Sequence, residues 1–224
     1  MPNVDAPSGF RPVRRISGLP LGAMYKAYIP SSDGTAVFIG DLVKFNGESG
    51  AAGTVIQGED MEGVPQVIRA AITDFDVLGT DNVNAICGVV VGFKPNPDTS
   101  LMYKHRPAST NAIVYVCPID QDIVFEIQED ADTTPIAAAS VGLNAQVLQT
   151  QAGSTVTGLS GMELDSSTVA TTNTFPVRII GLSKRVGNAF NTAGSGSDQA
   201  KFEVVFNFRG GLQPYATAVG GTAV

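Results

Sequence analysis

The amino-acid sequence predicts an all-β protein: an antiparallel barrel or sandwich built from two packed β-lobes, with an extended N-terminal arm and one short helix. Candidate strands are short, rich in Val, Ile, Phe and Tyr, and separated by clusters of turn-forming residues. The 3.6-residue apolar periodicity of a long amphipathic helix occurs nowhere in the 224 residues. A hydrophobic content of 43% is enough for an ordinary buried core.

Residues 1–23 are predicted to form the arm, because four prolines within the first 20 residues disfavour both a helix and a regular β-ladder. Arg11, Arg14 and Arg15 make this segment basic in an otherwise acidic chain. An acidic groove on a neighbouring subunit is one natural target, and a solvated, mobile terminus explains the same residues equally well. If the arm docks on a neighbour, deletion of residues 1–18 should leave a folded protein.

Residues 24–120 are predicted to form the first β-rich lobe. Its expected strands are 24–29, 36–39, 41–45, 67–71, 85–93 and 113–117, separated by turn clusters such as SSDG. Cys87 and Cys117 lie in apolar, strand-like segments. In such segments a thiol is more often a small buried hydrophobe than a nucleophile or half of a disulfide.

Residues 121–209 are predicted to form the second lobe, without a flexible linker at 118–122. Its first strand, 124–128, should bury Phe125 and Ile127 and expose its other face. The short helix should begin at Thr134 and Pro135 and stop at Gly142. The remaining expected strands are 145–148, 154–157, 162–164, 177–182 and 201–208. Residues 188–199 are expected to form a protruding loop, and residues 210–224 a loosely held Gly-rich tail.

Charge and composition narrow the class of partner. The formal net charge of −7 argues against binding to a nucleic-acid backbone, which requires clustered Lys and Arg. No stretch resembles a signal peptide, and the longest apolar run, 85–93, is about half the roughly 20 residues of a membrane-spanning helix. We therefore expect neither a nucleic-acid nor a membrane partner. Only 16% of the residues are charged, which suits a surface used for permanent protein contacts.

No set of residues predicts catalysis, so an enzyme is not expected and no catalytic residue is assigned. The only histidine, His105, lies between Lys104 and Arg106 and is expected to be an exposed loop residue. A Ser-His-Asp triad would have to use this histidine. The nearest nucleophile candidate, Ser160 in GLSG, lacks the GxSxG spacing of a nucleophile elbow.

The acidic residues between positions 120 and 132 could suggest a calcium site, since Ca²⁺ takes several oxygen ligands. Their spacing does not follow an EF-hand loop, and a solvated acidic edge that discourages unwanted strand pairing is the preferred interpretation. The residues concerned are Asp120, Asp122, Glu126, Glu129, Asp130 and Asp132. Gly194-Ser195-Gly196 is too short for a phosphate-binding loop. We therefore expect no cofactor and no metal.

Several strings, taken in order, resemble one known family. They are NVDAPSGFRPVRRISG, FIGDLVKFNG, GVVVGFKP, RPAS followed by IVYV, FEIQED, SVGLNA, GLSGMELDSS and VRIIGLSKRVGN. Each is weak alone, but their shared order and spacing are similar to those of the structural cement (decoration) proteins of tailed-bacteriophage capsids. Residues 189–199 and the tail after Arg209 match no pattern of that family, so nothing is transferred to them.

The resemblance implies a virion structural protein that is assembled in the host cytoplasm and binds the exterior of the phage head. Its partners would be the major capsid protein and itself, as a homotrimer at local threefold axes, with capsomers clamped against internal pressure. Phe10, Arg11, Arg14 and Arg15 are the expected capsid or subunit interface. A head-fibre or surface adhesin module that binds host glycans is the alternative. The absence of Trp argues against a glycan platform, because such platforms usually rely on aromatic faces.

Overall fold

The computed structural model of the chain describes residues 4–22, 24–71, 86–96, 104–130, 132, 134–149, 151–172, 175–190 and 199–207. Within them the protein is all-β, as predicted, and consists of several antiparallel sheets packed together. The strands are β1 Arg11–Arg15, β2 Tyr25–Ile29, β3 Leu42–Ser49, β4 Val55–Ile56, β5 Glu59–Asp60, β6 Pro65–Arg69, β7 Ile86–Phe93, β8 Ala112–Pro118, β9 Ile123–Gln128, β10 Asn144–Ala145, β11 Val147–Leu148, β12 Glu163–Leu164, β13 Val177–Leu182 and β14 Lys201–Phe206.

Five strands of the first lobe form a closed barrel with the strand order β2-β6-β3-β7-β8, and β4 and β5 form a separate two-stranded sheet. Its neighbouring strands are antiparallel except β2 and β6, which are parallel. Alternation along each strand sends one set of β-branched side chains, including Val43, Val90 and Val114, into a single buried cluster. Closure leaves these five strands without a free edge.

The second lobe is a five-stranded antiparallel sheet with the order β1-β9-β14-β13-β10. The predicted inward residues Phe125 and Ile127 are buried, and they pack with Phe202 and Phe206 of β14. Leu42 and other barrel residues from β3, β7 and β8 belong to the same cluster. The outer face of the barrel and the inner face of the sheet therefore share one hydrophobic core.

Strand β1 corrects the prediction that residues 1–23 form no regular ladder. It pairs antiparallel with β9 and occupies one edge of the sheet, with Arg11 opposite Glu126 and Arg15 opposite Ile123. Proline is tolerated here because Pro12 lies on an edge strand, and the register shifts at a bulge between Pro12 and Arg14. Pro12 therefore lies within an edge strand of the second lobe, where an extended arm without a ladder was predicted.

Most other predicted strands are present, with differences at short segments. Residues 36–39 contribute isolated bridges, Val37 to Arg106 and Ile39 to Leu159, and residues 154–157 form turns. The helix expected from Thr134 is a single 3-10 turn at Ala138–Ser140. The Glu129 carboxylate accepts the Ile136 N–H at 2.8 Å, just before this turn. The predicted tail, the centre of the 188–199 loop with Gly194-Ser195-Gly196, and Phe208 and Arg209 lie outside the described residues.

The N-terminal segment meets the core where the backbones of Gly9 and Gly40 lie in close contact. Gly9 has φ +62°, and a Cβ there would lie 2.5 Å from the Gly40 carbonyl oxygen and 2.6 Å from Cβ of Ser160. The Phe10 N–H donates to the same Gly40 carbonyl at 3.0 Å. Ser160 in turn donates to the buried Asp41 carboxylate at 2.6 Å, so the contact joins the N-terminal segment, the barrel and the second lobe.

Replacing Gly9 with Ala is expected to lower the free energy of unfolding by about 3 kcal/mol or more, from left-handed backbone strain plus overpacking. Gly18→Ala is the matched control, because Gly18 has φ +76° but a Cβ at this position would meet no heavy atom within 4 Å. Its expected cost is about 1 kcal/mol, the backbone strain alone. Urea unfolding of both variants measures the difference, and equal losses would contradict the close-approach argument.

Candidate interaction surface at the N-terminal strand

Phe10, one of the predicted interface residues, is a core residue. Its ring lies 4.9 Å from Phe206 and 6.2 Å from Phe125, centroid to centroid, with the second pair edge to face. It is almost fully buried and belongs to the shared core. Phe10 is therefore unavailable for insertion into a partner, and deletion of residues 1–18 would remove part of the core. The expectation that this deletion leaves a folded protein does not fit the structure.

Two of the predicted arginines, Arg14 and Arg15, find acidic partners within the same chain. Arg14 donates to Glu203 of β14 at 2.7 Å, and Arg15 lies 3.4 Å from the Asp122 carboxylate. Asp122 also accepts the Ser17 hydroxyl at 2.7 Å and the Ser17 N–H at 2.8 Å. These hydrogen bonds from Ser17, reinforced by Arg15, hold the pKa of Asp122 below its ordinary value. The acidic partners that were expected on a neighbouring subunit are thus Glu203 and Asp122 of the same chain.

What the segment leaves exposed is a row of apolar side chains. Val13, Ile16 and Leu19 are 42%, 57% and 62% exposed, and they recur every three residues along and beyond β1. Arg11 and Arg14 are exposed beside them. We call these five residues the N-terminal edge. The three-residue spacing of Val13, Ile16 and Leu19 is the sequence signal that could have identified this row.

A groove of about 340 Å³ lies beside this edge. Its walls are mainly apolar: Phe10 and Pro12 come from the N-terminal segment, and Val90 and Val91 come from β7 of the barrel. Arg11 lines the same groove. Arg11 belongs to both the N-terminal edge and the groove, so an apolar groove with a positive charge at its border adjoins the edge at this residue, a combination suited to a protein partner.

The predicted solvated acidic edge is wrong for two of its members. Glu126 is buried and holds an ion pair with Arg185 at 2.6 Å, and Ser183 donates to the same carboxylate at 2.5 Å. Glu129 is buried and accepts the N–H groups of Ile136 and Ala200. Burial raises the pKa of Glu129. Both faces of β9 are therefore buried, whereas alternation had predicted one exposed face.

His105 is also buried, contrary to the sequence-based expectation. Its ring stacks on Phe38 with centroids 4.8 Å apart and planes 10° from parallel. Burial lowers its pKa. Ser160 is hydrogen-bonded to Asp41, whose carboxylate also pairs with Arg69 at 3.1 Å. Cys87 and Cys117 are buried and unpaired, as predicted.

Within the described ranges, no three His, Cys, Asp or Glu side chains are grouped so as to hold a metal ion. No helix in the same part of the chain is long and apolar enough to cross a membrane. Comparison of the chain with protein-family models, with curated proteins and with solved structures found no match.

A carboxyl group with a raised pKa lies under the first residues of the N-terminal segment. Glu163 of β12 is 3% exposed, and its Oε1 has no hydrogen-bond partner among the described residues. Burial raises its pKa to about 7, and the carboxylates of Asp5 and Asp130 add to the effect. The folded protein therefore favours the neutral acid at any pH below about 7.

Stability should fall as this group ionises. Because the folded pKa lies above the ordinary value of 4.5, the contribution is fully present below that value and is lost as the pH rises through about 7. Glu163→Gln keeps the neutral form at every pH. Its melting temperature should therefore match the wild type at about pH 5 and exceed it at about pH 8.

The exposed carboxylate of Glu62 provides the control, since Glu62→Gln should leave the pH profile unchanged. Thermal unfolding across this pH range measures both variants. Parallel pH profiles for the wild type and Glu163→Gln would show that Glu163 is not the responsible group.

Proposed function

We propose that this protein is a capsid cement protein, a virion structural protein that binds the outer surface of a phage head and holds neighbouring capsomers of the major capsid protein together. The observation that carries the proposal is the N-terminal edge, where a rigidly anchored strand displays an exposed apolar row. Val13, Ile16 and Leu19 are exposed, and Phe10 of the same segment anchors it in the core.

The physical design favours adhesion to a large partner. Phe10, the β1–β9 pairing and the Ser17–Asp122 hydrogen bonds hold the segment in place before any partner binds. Little conformational entropy is then lost on docking, which improves the affinity of a given contact area. The adjacent groove of about 340 Å³ can accept an apolar side chain from the partner, and Arg11 can meet a carboxylate beside it.

The sequence resemblance to decoration proteins supports the same assignment and suggests a homotrimer at local threefold axes. A symmetric trimer presents its docking surface in triplicate to a site of matching symmetry. Once one subunit is bound, the others bind at high effective concentration, so that modest contacts combine into gains of about a hundredfold or more. The low content of charged residues, 16%, suits such a permanent contact surface.

Removing the apolar row should weaken decoration without unfolding the protein. The triple variant Val13→Ser/Ile16→Ser/Leu19→Ser is expected to bind empty capsids at least about tenfold more weakly in co-sedimentation, because the exposed apolar area that docking would bury is lost. Its melting temperature should be near that of the wild type, since all three side chains are exposed.

Val156→Ser is the matched control, because Val156 is 80% exposed but lies in a turn outside the N-terminal edge. Light scattering on each protein without capsids separates a loss of self-association from a loss of capsid binding. Unchanged co-sedimentation of a folded triple variant would overturn the assigned docking surface. Failure of the wild type to bind any empty capsid of its phage would overturn the function.

A further inference from the structure

A second candidate site lies on the barrel lobe, on residues distinct from the N-terminal edge. The hairpin of β4 and β5 turns at Gln57 and Gly58 and faces the loop at Ser109–Asn111. Between them is a cleft of about 320 Å³, also bordered by Ser31 and Asn96. A smaller cavity of about 30 Å³ shares Gln57, Asn96, Thr110 and Asn111 with it. We call this region the Gln57 cleft.

Backbone strain is concentrated at this cleft. Gln57 and Ser109, with φ of +52° and +56°, are the two non-glycine residues in the described part of the chain that adopt a positive φ. Both line the cleft. A left-handed conformation is unfavourable for residues with a Cβ, and such outliers cluster at ligand sites because the surrounding structure must enforce them.

The turn itself gives no reason for a glutamine. Gln57 and Gly58 both have positive φ, +52° and +74°, as the two central residues of a type I′ hairpin turn do. Asn or Gly is favoured at the first of these positions, because both tolerate the left-handed conformation better than Gln. Folding would therefore be served by a shorter residue, and the longer side chain at Gln57 calls for a different explanation.

The side-chain amide of Gln57 is unsatisfied. Its Oε1 and Nε2 are both buried, and neither has a hydrogen-bond partner among the described residues. Buried polar atoms are nearly always paired, so a buried primary amide without a partner is an exception that needs a cause. The Gln57 backbone is held in place, because its carbonyl accepts the Lys94 ammonium at 3.1 Å. Gln57 thus lines the cleft with an anchored backbone and with a side-chain amide that has no partner among the described residues.

The opposite wall is built around a buried guanidinium. Arg106 donates to the backbone carbonyls of Thr110 at 2.8 Å and of Pro30 and Asp33 at 2.7 Å each. This fixes the loops that carry Ser31 and Ser109–Asn111 relative to each other. The Asn111 side-chain oxygen also accepts the Ser31 N–H at 2.7 Å. The cleft is therefore preorganised on both sides.

The chemistry of the walls identifies the class of ligand. The bordering polar side chains are neutral amides and hydroxyls, from Ser31, Gln57, Asn96, Ser109, Thr110 and Asn111. The nearest cations are already engaged, since the Lys94 ammonium pairs with Glu59 at 2.6 Å and Arg106 is bound to carbonyls. Adjacent donor and acceptor atoms of a primary amide match the hydroxyl pairs of a sugar ring. The side chain of Val55, 65% exposed at the border, offers an apolar contact for the ring's C–H groups.

We propose that the Gln57 cleft binds a neutral saccharide of one or two hexose units, with the Gln57 amide as its principal hydrogen-bonding group. A volume of about 320 Å³ lies at the small end of the usual range for ligand pockets, about 300 to 1,000 Å³. The site is independent of the proposed capsid contact. A protein could decorate a capsid through the N-terminal edge and present this cleft to sugars outside the particle.

The test is an NMR titration of the full-length ¹⁵N-labelled protein with glucose, galactose, mannose, N-acetylglucosamine, maltose and lactose, each to about 10 mM, a range in which weak millimolar binding is visible. At least one sugar should shift the side-chain amide signals of Gln57 and Asn111. In Gln57→Asn the same amide is one methylene shorter, so the Kd should rise by about tenfold or more. Because Asn suits the turn, this variant should melt at or above the wild-type temperature.

Gln121→Asn makes the same chemical change at an exposed glutamine outside the cleft and should leave the Kd unchanged. Titration with an N-acetylated, C-amidated trialanine peptide tests the alternative that the cleft binds a peptide main chain. Absence of a shift with every sugar, unchanged affinity in a folded Gln57→Asn, or a response to the peptide alone would each overturn the proposal.

Discussion

The contact of Gly9 with Gly40 and Ser160 is the constraint on which the rest of the structure depends. There is no room for a side chain at Gly9, and the Phe10 N–H reaches the Gly40 carbonyl only because the two backbones are so close. Phe10 is thereby placed in the core that the barrel and the sheet share, and β1 is delivered to the edge of β9. The exposure of Val13, Ile16 and Leu19 follows from the same anchoring, because their segment is fixed on its other side.

Buried charged side chains organise the long connections of this fold. Glu129 accepts two backbone N–H groups that are far apart in sequence, those of Ile136 and Ala200. Arg106 donates hydrogen bonds to backbone carbonyl groups of two loops in the barrel lobe. An all-β chain with irregular connections has many backbone groups outside its ladders, and each must find a partner when it is buried. These charges are therefore part of the scaffold, and their burial is no sign of catalysis.

The sequence predicted the fold class and most strands well, since the β-branched runs of β2, β7, β8, β13 and β14 carry a local signal that tertiary contacts reinforce. The predictions of exposure failed where the residue that buries a side chain lies far away in the sequence. Glu126 looked solvated because Arg185 and Ser183, which bury it, lie more than 50 positions away. His105 looked exposed because its stacking partner Phe38 belongs to another segment. The N-terminal edge could have been noticed from the three-residue spacing of Val13, Ile16 and Leu19, but no local pattern reveals that Phe10 is a core residue. The unsatisfied amide of Gln57 is equally invisible without coordinates.

The pairing of β1 with β9, together with the Arg14–Glu203 ion pair across 189 positions, has a consequence for biosynthesis. Strand β1 finds its final place only late in synthesis, because Phe125 and Phe206, the ring partners of the preceding residue Phe10, lie far along the chain. A chain truncated before β14 lacks the partners that fix Phe10 and Arg14, and so cannot present the N-terminal edge in its final form. The topology itself therefore makes the N-terminal edge a mark of a chain that has been synthesised at least through β14.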